Sequence, residues 1–206
     1  NKPSLAELLA RKRNIEQIPV TLPGGKPLQL SLGEHNVLQK EIIEQFLPRF
    51  GSDCKVLYIG DTSNKMLHID EAALKELQFF KLSHDELPDI IAISKKNNWL
   101  YLIEAVHSSG PMSEIRVHEL KKLLKDCKAE LIFVTAFLTR ADFRKWTMDI
   151  AWETEVWIGD NPDHLIHFNG HNFLVMYRRP PREGAADNKG FGKSGADEQI
   201  QGCDAT

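Results

Sequence analysis

Apolar residues recur at helical spacing from about Asn36 to Phe50, where Leu38, Ile42, Phe46 and Phe50 predict a buried helix face. A shorter helical start is read from Leu5, Leu8 and Leu9, and a Pro/Gly turn from Pro23-Gly24-Gly25. Lys55-Val-Leu-Tyr-Ile59 has the composition of a strand, ended by Gly60-Asp61-Thr62, and Asp70 to Leu77 that of a short helix. Asp89 to Ile93 and Trp99 to Val106 read as two strands about the polar turn Lys95-Lys96-Asn97-Asn98, hence as a hairpin. Ser113 to Lys125 is helical, with Ile115, Val117, Leu120, Leu123 and Leu124 as its apolar set. Leu131-Ile-Phe-Val-Thr135 is a continuous apolar run, as a strand buried on both faces requires. Thr139 followed by Asp142 resembles a capping box opening another helix, with Leu138 placed to staple onto Phe143. Glu155 to Ile158 is the last clear strand, and Leu165 to Phe168 is expected beside it.

This order predicts a single α/β domain with a mixed sheet flanked by helices: the hairpin makes one strand pair antiparallel, and the helical crossovers favour parallel neighbours. No internal repeat is visible. The chain has 206 residues, 42% of them apolar, enough for one core. The domain is expected over residues 1–178, with its core at about 30–174. From Arg179 glycines and charges dominate, and Phe191 and Ile200 are the only large apolar side chains, so 179–206 reads as a disordered tail. A net charge of −3 excludes a polybasic coat, so contact with nucleic acid requires local positive charge. No apolar run is long enough for a membrane span and no signal core is present, which makes a cytoplasmic location without membrane contact the expectation. Three widely spaced cysteines indicate neither a disulfide framework nor a structural zinc site. No glycine-rich nucleotide-binding turn occurs. The first residue is Asn1 rather than Met, which suggests a piece of something longer.

Two carboxylates carry the candidate chemistry. Asp89 opens one hairpin strand and Glu104 lies inside the next, between Ile103 and Ala105. A Glu in an apolar strand is costly unless it is paired or binds a metal. Strand alternation puts Leu102, Glu104, Val106 and Ser108 on one face and Asp89, Ile91 and Ile93 on one face of the preceding strand. Since a hairpin sets the start of its first strand opposite the end of its second, Asp89 and Glu104 can converge on one divalent cation. Two carboxylates suit Mg²⁺, which keeps much of its own water.

Pro88-Asp89 followed by Glu104-Ala105-Val106, in this order of elements, resembles the PD-(D/E)XK nuclease core. The stretches Gly33-Glu-His-Asn-Val-Leu-Gln-Lys40, Tyr58-Ile-Gly-Asp-Thr62, Leu87-Pro-Asp-Ile90, Trp99-Leu-Tyr-Leu-Ile-Glu-Ala-Val106, Val134-Thr-Ala-Phe137 and Asp149-Ile-Ala-Trp-Glu-Thr-Glu-Val-Trp157 are more specific. Together they resemble the BsuBI/PstI family of type II restriction endonucleases over roughly residues 5 to 174, corresponding to its C-terminal catalytic domain. The resemblance implies Mg²⁺-dependent hydrolysis of double-stranded DNA in a restriction–modification system. Asp89, Glu104 and the Ala105 carbonyl would hold the metal, and the family's helical N-terminal domain would lie outside this chain. A palindromic site would call for a homodimer or two successive nicks. The general motif places Lys two residues after the Glu, and here that position is Val106. Lys65 and Lys40 are the candidates for the displaced charge, against the plainer reading of each as a surface lysine.

Each further candidate has an ordinary alternative. His35 and Gln39 fall inside the apolar arc of the first helix, where they line the catalytic cleft or serve as a cap and a backbone anchor. Asp61 faces the metal or makes an Asx-type turn. His107, Ser108 and Ser109 lead into Gly110-Pro111 and suit DNA phosphate contact, unless the segment is a plain strand-to-helix turn. Arg116, Lys121, Lys122 and Lys125 reach a phosphate or form a solvated helix face. The four tryptophans are expected in the core, and His164 and His167, facing opposite sides of a strand, are set aside as ligands. The rival functions are a DNA-binding module of nuclease fold without catalysis, a repair or resolvase nuclease of the same superfamily, and an unrelated ligand-binding α/β domain.

Overall fold

The structure, a computed structural model, describes residues 4, 17–51, 53–61, 67–78 and 87–168. Strands β1 (Gln17–Thr21) and β2 (Pro27–Ser31) form a separate antiparallel hairpin. Helix α1 (Glu34–Glu41) runs through a π turn (Ile42–Phe46) into α2 (Leu47–Phe50). Then follow β3 (Lys55–Ile59), β4 (His68–Ile69), α3 (Glu71–Glu76), β5 (Ile90–Ser94), β6 (Trp99–Val106), α4 (Glu114–Leu123), β7 (Glu130–Phe137), α5 (Arg140–Trp146), β8 (Thr154–Ile158) and β9 (Leu165–Phe168).

The main sheet has seven strands in the order β4-β3-β5-β6-β7-β8-β9. β5 and β6 pair antiparallel, as the hairpin reading requires, while β6, β7 and β8 are parallel through helical crossovers. The expected mixed α/β sheet is therefore present. The antiparallel run β4-β3-β5-β6 and the parallel run β6-β7-β8 meet at β6, the strand that carries Glu104, and β9 pairs antiparallel at the far edge.

One face of the sheet packs Ile59, Ile90, Ala92, Tyr101, Ile103, Ala105 and Val134 against Leu38, Ile42, Ile43, Phe46 and Leu47 of the α1–α2 segment, with Val20, Leu22 and Leu30 from the hairpin. The other face packs Leu57, Tyr58, Ile91, Leu100, Leu102 and Phe133 against Leu74 of α3 and Val117 and Leu120 of α4. The π turn has a geometric cause. Buried positions in the α1–α2 segment repeat every four residues, and on an ideal helix each such step drifts about 40° around the axis. A wider π turn reverses that drift and keeps Phe46 and Leu47 on the face that Leu38 begins.

Four expectations change. The segment around Pro23-Gly24-Gly25 is a full hairpin rather than a bare turn: Val20 and Leu30 are buried, and the prolines lie where an edge ladder tolerates a missing N–H. The two-residue strand β4 is also added. Leu138 packs against the first core cluster and Phe143 against the third, although the cap itself is present, with the Asp142 N–H donating to Thr139 Oγ1 at 3.2 Å. Among the tryptophans, Trp157 is fully buried but Trp152 is 65% exposed, tilted against Phe168 at the rim. The helical start at Leu5 to Leu9, Lys65 and the 179–206 tail lie outside the described residues.

Candidate functional site

The Ile90–Ile103 pairing puts Asp89, just before β5, level with Glu104 in β6. The Ala105 N–H donates to Asp89 Oδ2 at 2.8 Å, and the two carboxyl groups lie within hydrogen-bonding reach of each other. Both emerge on the α4 side of the sheet, as strand alternation anticipates. Their side chains are 23% and 13% exposed.

Glu104 takes the Arg116 Nε–H at 2.8 Å. Burial and the neighbouring charge of Asp89 push its carboxyl up to about 8, against the opposing pull of Arg116. Arg116 rises from the first turn of α4, where the Ser113 Oγ cap accepts its backbone N–H. The structure therefore places Arg116 not on a solvated helix face but inward on Glu104, with its side chain 19% exposed.

From the opposite face of the sheet, α1 delivers His35 and Gln39. His35 Nε2 lies 3.3 Å from Asp89 Oδ1 and 3.1 Å from Gln39 Nε2, so one ring nitrogen faces an acceptor and a donor. The ring also hydrogen-bonds the Ala105 carbonyl. Burial, the largest single influence, lowers the His35 pKa, but Asp89, the Glu104 charge and that carbonyl outweigh it and raise the value. Gln39 is fully buried and donates to the Gly60 carbonyl at 2.5 Å, while its Oε1 has no hydrogen-bond partner among the described residues. The inward azimuth read from the helix therefore holds for both residues.

Tyr58 is a member of this site that strand alternation misses. A register shift between Val56 and Tyr58 turns Tyr58 onto the same face as Leu57, toward the carboxylates. Its hydroxyl is raised in pKa, first by burial and then by the charges of Asp89 and Glu104. Gly60 leaves it room, since a Cβ there would lie 3.0 Å from the Tyr58 hydroxyl. The Gly60 N–H also bonds the Asp89 carbonyl at 2.9 Å.

Other candidates fall elsewhere. Lys40 stands about 140° around α1 from His35 and pairs with Glu44 at 3.8 Å, which corrects its place beside the carboxylates. Asp61 joins the hairpin to α1: one oxygen takes the Ser31 N–H, the Ser31 hydroxyl and the Asn36 amide at 3.1, 2.8 and 2.5 Å. Ser108 and Ser109 are exposed just beyond the end of β6, and His107 pairs with Glu34 at 3.3 Å. His167 pairs with Glu155.

Asp89, Glu104 and the Ala105 carbonyl form a hard, oxygen-only donor set, suited to a small divalent cation that retains several waters. His35 rests on the first and last of these groups, so its N–H donors lie where a cation's charge would be felt.

A carboxylate pair at the open strand ends of a mixed sheet, with helices on both faces, defines a domain of the restriction-endonuclease type. The chain belongs to the BsuBI/PstI restriction endonuclease family, whose domain matches residues 18–171. It is 42% identical over 177 residues to the type II restriction enzyme BsuBI of Bacillus subtilis, covering 86% of this chain and 56% of that protein. To the type II restriction enzyme AplI of Arthrospira platensis it is 33% identical over 171 residues, covering 79% of this chain and 52% of the relative. The solved structure of SdaI restriction endonuclease superposes with a TM-score of 0.77 at 39% identity, over 86% of this chain and 56% of that one. The chain thus spans about half the length of the relatives it matches.

Proposed function

We propose that this domain is the catalytic half of a type II, site-specific deoxyribonuclease that hydrolyses phosphodiester bonds of double-stranded DNA in a restriction–modification system, with Mg²⁺ as its cofactor. The observation that carries the reading is the convergence of Asp89 and Glu104 at the open end of the sheet. In the structure Arg116 pairs with Glu104 and His35 lies against Asp89, so each carboxylate already has a polar or cationic neighbour where a dication's charge would act. Asp89, Glu104 and the Ala105 carbonyl would hold the ion, which when bound lowers the pKa of a water and offsets charge on the scissile phosphate. Asp89 is held in place by the Ala105 N–H and Glu104 by the Arg116 guanidinium, so both carboxylates are positioned side by side. Exposed Ser108 and Ser109, just beyond the end of β6, would offer hydroxyl and backbone donors to DNA phosphates. A homodimer acting on a palindromic site in the cytoplasm, with further DNA contacts from a helical domain N-terminal to this one, completes the proposal.

The test is digestion of plasmid DNA with and without Mg²⁺, followed by mapping of the ends. Discrete fragments that need Mg²⁺ and vanish with Asp89→Asn or Glu104→Gln are expected, a loss of at least about 100-fold. Plasmid retarded in gels but never cut, under any divalent cation, would favour a DNA-binding module. Cutting unaffected by either substitution would move the active site elsewhere.

A further inference from the structure

Counting charge at the site points to a second state of Arg116. With both ionised, as metal binding requires, Asp89 and Glu104 carry two negative charges, and a dication held by them would satisfy both. The guanidinium on Glu104, 19% exposed, would then be surplus beside the carboxylates. It would also be ready for use: its backbone is fixed by the Ser113 cap, and Glu119 on the next turn lies 3.9 Å from Nη1 as a second anchor. Among the described residues neither of the two positions the sequence points to supplies this charge. Lys40 is turned away on α1. Val106, the position where the superfamily motif has lysine, is 2% exposed and packed with Phe137, Ile150, Val156 and Ile158.

We propose that Arg116 is the catalytic cation of this domain: it holds Glu104 until a divalent ion takes the carboxylate, and then turns its guanidinium onto the scissile phosphate. The forked donor set of arginine suits both partners, a carboxylate at rest and a phosphate at work. The inference rests on the nuclease reading above but has readouts of its own. No covalent step is assigned to Arg116, which acts by charge and hydrogen bonding alone.

The experiment compares the full chain with Arg116→Ala, Arg116→Lys and Glu104→Gln, each checked for an unchanged circular dichroism spectrum. Mn²⁺ binding is followed by electron paramagnetic resonance, and supercoiled plasmid serves as the DNA. Arg116→Ala is expected to bind Mn²⁺ more tightly than wild type, because the competitor for Glu104 is gone. The same variant should bind plasmid more weakly in the presence of Mn²⁺ and cut at least about 100-fold more slowly. Arg116→Lys, retaining the charge, should recover part of both losses. A merely structural arginine predicts the opposite metal result, since a misplaced Glu104 would bind Mn²⁺ more weakly. Weaker metal binding by Arg116→Ala, or cutting at the wild-type rate, would overturn the proposal. If Glu104→Gln binds Mn²⁺ as wild type does, the metal assignment fails and the exchange with it. If the wild-type chain never cuts, the nuclease reading fails, and the Mn²⁺ and plasmid affinities still decide what Arg116 does.

Discussion

Asp61 gathers three donors on one oxygen at a point where the hairpin, α1 and the end of β3 meet, and it is 5% exposed. Asp61→Ala is expected to strand the Ser31 and Asn36 donors and to destabilise by about 1–3 kcal/mol, read from urea unfolding with an unchanged m-value. Glu104 makes a prediction in pH. Its carboxyl is raised in the folded state, so the folded chain binds a proton that the unfolded chain has released, and stability falls as pH climbs from the ordinary carboxyl range to about 8. Glu104→Gln removes that loss. Without metal, variant and wild type should melt alike near pH 5, and the variant should melt higher at pH 8; a variant that melts lower at pH 8 would show the Arg116 pair to be a net stabiliser. At this scale the two carboxylates were readable because hairpin register is a local property. Tyr58 was not, and Arg116 was readable only as a candidate phosphate contact: its place on Glu104 depends on how α4 lies across the sheet, and that of Tyr58 on a register shift that leaves no mark in hydrophobic alternation.

The helices show which local signals survive folding. Thr139 caps α5 as its spacing to Asp142 suggested, and here the threonine hydroxyl also donates to Asp142 Oδ2 at 2.7 Å. Thr139→Ala should cost about 1 kcal/mol in thermal unfolding, and Thr139→Ser should restore most of it. The hairpin β1–β2 was invisible for the converse reason. Pro19, Pro23 and Pro27 break the run of strand formers, and a strand held only at an edge tolerates them. The segment from α1 to α2 was legible as one helix but not as one with a π turn, because residue spacing reports the buried face and not the winding that maintains it. That turn lets Phe46 reach the core while His35 and Gln39, at the other end, reach Asp89 and Gly60.

At the scale of the whole molecule, charge and length set the expectation. With a net charge of −3 and a match that spans 56% of BsuBI, the chain should bind duplex DNA weakly and with a steep salt dependence; fluorescence anisotropy across a KCl series measures both. Tight, salt-insensitive binding would mean that base recognition resides within these residues. Among the described residues no helix is long and apolar enough to cross a membrane. Asp89, Glu104 and Arg116 all fall between positions 89 and 116, on a hairpin, a loop and the first turn of one helix. An exchange of genetic material with crossover points just outside that interval would carry the two carboxylates and their arginine across in one inheritance event, while His35, Gln39 and Tyr58 would come from the recipient, so the unit keeps its surroundings only in a recipient that has those three residues.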